Sequence, residues 1–141
     1  MHTLLYVEDN PANLMLVEQI VAERLHLRLL SAREGKLGVE LARIHLPDVI
    51  LMDISLPGMS GNEALNILRK DPATAHIPVL AISANAMSGD IEKGMEEGFF
   101  DYLTKPFKVN EFINALDNAL QFAETKKISE MESVNKNGTP Q

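Results

Sequence analysis

Short apolar runs alternate along the chain with longer segments of helical periodicity. Residues 4–7 form the first run, and the apolar positions after it are spaced three and four residues apart. These positions are Leu14, Val17, Ile20 and Val21. Their spacing predicts an amphipathic helix, for which Asn10-Pro11 supplies a cap and a favourable first helical residue. The pattern therefore predicts a β-strand followed by an α-helix.

The same unit repeats four more times. The further strands are predicted at residues 27–30, 49–53, 78–82 and 100–103. The helices are marked by Leu37, Leu41 and Ile44, by Leu65 and Leu68, by a segment from about 88 to 97, and by Phe112, Ile113, Leu116 and Leu120. Gly98 stands where a left-handed residue would end the fourth helix. Five alternating strands and helices predict an α/β fold with one parallel sheet covered on both faces.

Length and polarity together predict one folded domain and a tail. The 141 residues fit a single domain, which we place at residues 1–123. Residues 124–141 are polar and include the run Asn135-Lys136-Asn137-Gly138-Thr139-Pro140. We expect this tail to be frayed or disordered.

Composition excludes several kinds of partner. A net charge of −7 argues against nonspecific binding to nucleic acid, which needs clustered Lys and Arg. The absence of cysteine excludes disulfides and thiolate metal sites. No apolar run approaches the length that spans a bilayer, and the N-terminus lacks a basic region before an apolar stretch. We therefore expect a cytoplasmic protein that binds neither nucleic acid directly nor a membrane.

Polar side chains follow four of the predicted strands. Asp53 ends the fully apolar third run, and the carboxyl edge of an open α/β sheet is where ligands bind. Glu8 and Asp9 follow the first strand, Ser83 the fourth and Lys105 the fifth. Because parallel strands end at one edge, we expect these five side chains to face a common cleft.

The residue types in this cleft predict phosphoryl chemistry. Three crowded carboxylates repel one another unless a cation intervenes, and an oxygen-only set without His or Cys suits Mg²⁺. Lys105 offers a compact positive charge to a phosphate oxygen, and the Ser83 hydroxyl can donate to another. Because phosphoryl transfer depends on positioning and charge neutralisation, a carboxylate can be the covalent acceptor. We predict that the acceptor is Asp53.

From Leu4 to about Leu120 the sequence resembles the receiver domain of two-component response regulators. The resemblance is carried by Val7-Glu8-Asp9-Asn10-Pro11, Leu51-Met52-Asp53 with Leu56-Pro57-Gly58-Met59 and Gly61, Ile82-Ser83-Ala84, and Asp101-Tyr102-Leu103-Thr104-Lys105-Pro106-Phe107. It implies a flavodoxin-like, CheY-like (βα)5 fold, doubly wound, with strand order 2-1-3-4-5. It also implies a phosphorelay switch, not an enzyme, whose only catalysis is its own phosphorylation and dephosphorylation.

The resemblance further implies roles for individual residues. Asp53 would accept a phosphoryl group from the histidine of a sensor histidine kinase or a phosphotransfer domain. Glu8, Asp9 and Asp53 would hold Mg²⁺, for which Mn²⁺ could substitute, and the backbone carbonyl of Ser55 would add a ligand. Lys105 would contact the phosphoryl group.

The implied switch involves the other end of the sheet edge. Phosphorylation would draw in the Ser83 hydroxyl, and the ring of Tyr102 would change its burial in step, which remodels a surface for a downstream protein target. Lys105-Pro106 would be a cis peptide bond.

Part of the sequence resembles one branch of this family, the receivers of hybrid sensor histidine kinases. The runs Ser83-Ala84-Asn85-Ala86-Met87, Gly89-Asp90 and Gly98-Phe99 look like the receivers that end many hybrid sensor histidine kinases, so the chain could be such a piece or a free-standing relative. Phe100 departs from the pattern, which has a polar residue there. Since Phe is usually buried, we predict a core position for it rather than a partner surface.

Two alternative functions stay open at this point. One is a receiver-fold interaction module that is not phosphorylated, and the other is a phosphohydrolase or flavin protein on the same architecture. The chain lacks the glycine-rich nucleotide motifs, and Ser55 stands where a haloacid-dehalogenase-like hydrolase has a second acid. Taken singly, Glu8-Asp9 could be helix-terminal acids and Asp53 a turn residue. Their coincidence with Ser83 and Lys105 at the strand ends favours the phosphoacceptor.

Overall fold

The computed structural model describes residues 1–24, 26–84, 88–106 and 108–136. Its strands are β1 (His2–Val7), β2 (Leu27–Ala32), β3 (Val49–Asp53), β4 (Val79–Ser83) and β5 (Asp101–Thr104). Its helices are α1 (Pro11–Ala22), α2 (Gly35–His45), α3 (Gly61–Lys70), α4 (Ser88–Glu97) and α5 (Val109–Lys136). Residues 85–87 and Phe107, which belong to two of the sequence motifs, lie outside the described residues.

The five strands form one parallel sheet in the order β2-β1-β3-β4-β5. This confirms the predicted α/β class, the doubly wound sheet and the strand order. In the register, Val7 pairs with Met52, and Asp53 pairs with Ile82. Ser83 in turn pairs with Thr104 at the end of β5. The carboxyl ends of β1, β3, β4 and β5 therefore meet at one edge of the sheet.

Two hydrophobic cores lie on opposite faces of the sheet. Every residue of β3 and β4 is buried, because these central strands are covered on both sides. On one face the strands pack against α2 and α3, through residues such as Val39, Ala42, Leu65 and Leu68. On the other face they pack against α1 and α5, through residues such as Val17, Ile20, Phe112 and Leu116. The fold is thus a three-layer sandwich with helices on both faces of the sheet.

Side-chain caps fix where two helices begin beside that edge. Asn10 caps α1 by accepting hydrogen bonds from the backbone N–H groups of Ala12 and Asn13, with Pro11 at the first helical position, as predicted. Ser60 caps α3, where its hydroxyl accepts from the N–H of Glu63. Helix α1 therefore starts four positions after the end of β1, and α3 starts eight positions after the end of β3.

Of the three large apolar residues that marked helix α2 in the sequence, only Leu41 packs against the core, where it is partly buried. Leu37 and Ile44, which marked the helix in the sequence, are exposed, and Ile44 is 72% exposed. The buried face carries Gly38, Val39 and Ala42 instead. A Cβ at Gly38 would lie 2.6 Å from Cγ2 of Val7, so the missing side chain lets α2 approach β1 closely.

Helix α5 continues beyond the predicted domain boundary at residue 123. It has 28 residues and extends to Lys136. The helix continues this far because Glu and Lys favour a helix and neither Gly nor Pro interrupts the chain before residue 138. The rest of the predicted tail, residues 137–141, lies outside the described residues. No helix in the described part of the chain combines the length and apolar character that a membrane crossing requires.

Phe100 packs against α5. Its half-buried ring lies 5.2 Å from the ring of Phe122, centroid to centroid, and it contacts the core on that face. This packing agrees with the core position that we predicted for the residue.

The close contact between α2 and β1 predicts that alanine is tolerated less well at Gly38 than at a glycine with open space around it. We expect Gly38→Ala to lower the free energy of unfolding by about 1–2 kcal/mol, because overpacking against the stiff Val7 side chain exceeds the gain in helix propensity. A Cβ at Gly89 in α4 would meet no described atom within 4 Å, so Gly89→Ala should leave stability unchanged or raise it. Urea unfolding of both variants measures the difference, and equal effects would contradict the close approach.

Candidate functional site

Lys105 joins the ends of three strands. Its Nζ lies 3.1 Å from Oε1 of Glu8, after β1, and 3.0 Å from Oδ2 of Asp53, at the end of β3. Glu8 and Asp53 are each only 2% exposed. The sheet edge therefore holds two buried carboxylates bridged by one ammonium group.

Asp9 completes a cluster of three carboxylates with Glu8 and Asp53. One oxygen of each lies within 4.8 Å of the others, and Asp9 is exposed to solvent. Oε2 of Glu8 is buried and has no hydrogen-bond partner among the described residues. A buried carboxylate oxygen without a donor is costly unless a cation satisfies it. This cluster could therefore hold a metal ion, and its oxygen-only donors suit a hard divalent cation.

The three charged groups shift one another's pKa values. Burial, and then the facing Asp53 carboxyl, raise the pKa of Glu8, against the effect of the Lys105 and Asn13 donors. Burial would also raise the pKa of Asp53, but the neighbouring Glu8 carboxyl, the hydrogen bond from the Ser55 N–H and the Lys105 ammonium group outweigh it, and that pKa is lowered. Burial would lower the pKa of Lys105, but both carboxylates outweigh it and raise that pKa. Asp53 is therefore the more persistent anion, and Lys105 stays charged.

The backbone around Asp53 fixes its carboxylate. The N–H of Ser55 donates to Oδ1 at 3.0 Å, which orients the group that Lys105 contacts through Oδ2. Helix α3 begins directly behind, where a Cβ on Gly61 would lie 2.6 Å from the carbonyl oxygen of Asp53. A glycine is needed there because the backbones of the loop and of the helix approach so closely.

Ser83 and Tyr102 lie farther along the same edge. Ser83 is buried at the end of β4, and its carbonyl oxygen accepts a hydrogen bond from the N–H of Lys105. Both residues line a cleft of about 420 Å³ between the sheet and α4. The Tyr102 ring lies against α4, so close that a Cβ on Gly94 would be 2.7 Å from it. The Lys105–Pro106 peptide bond is cis.

Two further residues contact Glu8 and were missed in the sequence. The hydroxyl of Tyr6 donates to Oε1 of Glu8 at 3.0 Å, and Nδ2 of Asn13 donates to the same oxygen at 2.9 Å. Burial, together with the Glu8 carboxylate, raises the pKa of Tyr6, so its hydroxyl remains a neutral donor. The alternation of a strand, which puts residues 6 and 8 on one face, was the available indication.

Known proteins with a similar sequence share one domain type. The family model for the response regulator receiver domain matches residues 4–117. The polar-differentiation response regulator DivK of Brucella anthropi is 39% identical over 118 residues, which are 84% of this chain and 95% of that relative. That relative is therefore little longer than the shared domain.

Solved structures give the same result. The receiver domain of the sensor histidine kinase PA1611 from Pseudomonas aeruginosa, with a magnesium ion coordinated in its active site cleft, is 34% identical with a TM-score of 0.77. The match covers 85% of this chain and 98% of that one. The receiver domain of the Francisella response regulator 1452 is 27% identical with a TM-score of 0.79, and the match covers 86% of this chain and 98% of that one.

The bridge through Lys105 predicts a pH-dependent loss of stability when it is removed. In the native chain the lowered pKa of Asp53 gives stability that is present above its unfolded pKa and lost as the pH falls. Without Lys105, burial and mutual repulsion would raise both carboxyl pKa values, so the folded state would lose stability as the pH rises. We expect Lys105→Met to cost about 2 kcal/mol near neutral pH, and more at about pH 8 than at about pH 5.

Urea unfolding at the two pH values, without divalent cations, measures this loss. Lys108→Met is the matched control, because Lys108 is exposed and lies 3.8 Å from Glu111 on the surface. Its effect should stay within about 0.5 kcal/mol at both pH values. A Lys105→Met loss that grew toward low pH would contradict the proposed charge balance.

Proposed function

The chain belongs to the family of response regulator receiver domains, which are phosphoacceptor signalling switches, and we propose that its phosphoacceptor is Asp53. The observation that carries this proposal is the position of the Asp53 carboxylate. It lies buried at the carboxyl end of β3, 3.0 Å from Lys105 and within the acidic cluster with Glu8 and Asp9. Its lowered pKa supports the role, because the ionised form is the nucleophile.

We propose that Glu8, Asp9 and Asp53 hold Mg²⁺ and that the backbone carbonyl of Ser55 adds a ligand. The oxygen-only cluster supports this ion, as does Oε2 of Glu8, which has no hydrogen-bond partner among the residues that the structure describes; Mn²⁺ is a chemically similar substitute. A magnesium ion lies in the active site cleft of the PA1611 receiver, which supports the same choice. When bound, Mg²⁺ supplies the positive charge that offsets the carboxylates and an incoming phosphoryl group.

The transfer that we propose breaks one bond and forms another. An Asp53 carboxylate oxygen bonds to phosphorus as the bond between phosphorus and the donor histidine nitrogen breaks. Lys105 moves from the two carboxylates to a phosphoryl oxygen, and the Ser83 hydroxyl donates to another. A water molecule later attacks phosphorus and the bond to the Asp53 oxygen breaks, which releases inorganic phosphate and restores the carboxylate. The protein thus catalyses only its own phosphorylation and dephosphorylation.

The donor and the target follow from the family. We propose a sensor histidine kinase or a histidine phosphotransfer domain as the donor, in the cytoplasm, and a protein as the downstream target. The cleft that Ser83 and Tyr102 share supports the proposed switch, because movement of the Ser83 hydroxyl toward the phosphoryl group would alter the packing of the Tyr102 ring against α4.

Phosphorylation by a small donor tests the acceptor. Incubation with Mg²⁺ and acetyl phosphate should add one phosphoryl group per chain, measured by intact-protein mass spectrometry. Asp53→Asn should abolish the addition, because an amide is not nucleophilic in this reaction. Asp117→Asn, which alters an exposed aspartate that pairs with Arg24, should be phosphorylated like the native chain. Equal labelling of Asp53→Asn, or none of the native chain, would overturn the proposal.

Mg²⁺ binding tests the acidic cluster. Mg²⁺ at ten times its Kd should raise the free energy of unfolding by about 1.4 kcal/mol, since it binds the folded state. Asp9→Asn removes one charged ligand and should weaken Mg²⁺ binding by about tenfold or more, measured by titration calorimetry. Glu18→Gln, which alters an exposed acid on α1, should leave the Kd unchanged. A loss of the same size in Glu18→Gln would mean that the charge of the whole domain, not the cluster, holds the ion.

A further inference from the structure

The two oxygens of the Glu8 carboxylate have opposite environments. Oε1 accepts from the Tyr6 hydroxyl at 3.0 Å, from Nδ2 of Asn13 at 2.9 Å and from Nζ of Lys105 at 3.1 Å. These donors come from three different parts of the fold: β1, the first turn of α1, and the segment after β5. Oε2 has no such partner within the described part of the chain, although it is buried. The carboxylate is therefore held through the hydrogen bonds to Oε1, and Oε2 is left available to a ligand of the acidic cluster.

Tyr6 is the most firmly fixed of the three donors. Its side chain is 0% exposed and belongs to the core that β1 shares with α1 and α5. It lies two residues before Glu8, so both side chains project from the same face of the strand. A buried tyrosine needs a partner for its hydroxyl, and here that partner is a carboxylate of the acidic cluster.

We infer that Tyr6 is a positioning residue for the metal site, whose hydroxyl holds Oε1 of Glu8 so that Oε2 faces the cation. This inference rests on the proposed function and deepens it. A ligating group whose orientation is fixed by a hydrogen bond behind it binds a metal more tightly than one free to rotate.

Tyr6 matters most when Lys105 moves. In the proposed transfer Lys105 leaves Oε1 of Glu8 for a phosphoryl oxygen, which removes one of the three donors. Asn13 lies at the half-buried start of α1, whereas the Tyr6 ring is enclosed in the core and has few conformations open to it. The Tyr6 hydroxyl therefore keeps Glu8 in the same orientation before and after phosphorylation.

Tyr6→Phe tests this role, because it removes the hydroxyl and keeps the ring. We expect the Mg²⁺ Kd, and the Mg²⁺ concentration that half-saturates phosphorylation by acetyl phosphate, to rise by roughly tenfold. The maximal rate at saturating Mg²⁺ should stay within about twofold of the native rate, because the hydroxyl acts through Glu8 and not on the phosphoryl group. A purely structural role would not separate these two quantities.

Two further variants complete the test. Thr74→Val removes another buried hydroxyl, which donates to the Leu68 carbonyl at 2.7 Å between α3 and β4, and should lower stability without changing the Mg²⁺ Kd. In a Glu8→Ala background, Tyr6→Phe should have little additional effect on the Mg²⁺ Kd, because the acceptor of its hydroxyl is already gone. Persistence of the full effect in that background would overturn the inference.

The outcomes separate this inference from the proposed function. If the native chain neither binds Mg²⁺ nor is phosphorylated, the proposed function fails and the inference fails with it. If the native chain does both, and Tyr6→Phe has the native Mg²⁺ Kd, only the inference fails, and Tyr6 is a core residue with a satisfied hydroxyl. A tenfold change in Kd with a native maximal rate supports both.

Discussion

The ammonium group of Lys105 between two buried carboxylates is the interaction on which the rest of the site depends. Burying a carboxylate costs several kcal/mol unless a charge and hydrogen bonds compensate it, and two facing carboxylates cost more. Here Glu8 and Asp53 are both buried, and Lys105 lies about 3 Å from each. Without this cation, the two carboxylates would repel each other, so that either the strand ends would move apart or one carboxylate would take up a proton. The arrangement of the strands must therefore deliver all three groups to one point.

The order of the strands determines how far apart Glu8, Asp53 and Lys105 begin, and therefore which side chains can meet. Because β1 and β3 are neighbours, Glu8 and Asp53 meet directly across a single strand spacing of about 4.8 Å. Strand β5 lies beyond β4, two strand spacings from β3 and three from β1, so the Lys105 side chain and the carboxylates must bridge a longer distance. The long, flexible chain of Lys105 can do so, and its compact charge can contact two carboxylates at once. The residue types at the site thus match the positions of their strands.

The sequence predicted the charged residues of this site, but not Tyr6, which holds Glu8 from behind. Apolar runs locate strand ends, so Asp53 and Lys105 could be placed at one edge without a structure, whereas the order of the strands needed the family resemblance. Tyr6 was missed because it lies within an apolar run, where a tyrosine looks like any other core residue. Only Leu41 on the buried face of α2 was identified from the sequence, because Gly38 packs by having no side chain, which hydropathy does not register. The predicted end of α5 lies before the observed one, because polar residues do not end a helix when their helix propensity is high.

Charge explains why such a site can be a switch. In the proposed function, three carboxylates and Lys105 leave two formal negative charges, which one divalent cation neutralises. A phosphoryl group with a charge of about −2 replaces the single charge of the Asp53 carboxylate and leaves the site with an excess of negative charge. Lys105 is already counted, so the excess must be met by hydrogen-bond donors brought from nearby, and Ser83 at the end of β4 is placed for this. Because Ser83 and Tyr102 line the same cleft, compensation at Asp53 reaches the surface beside α4. The proposed switch is then a consequence of the one extra negative charge that phosphorylation adds to the site.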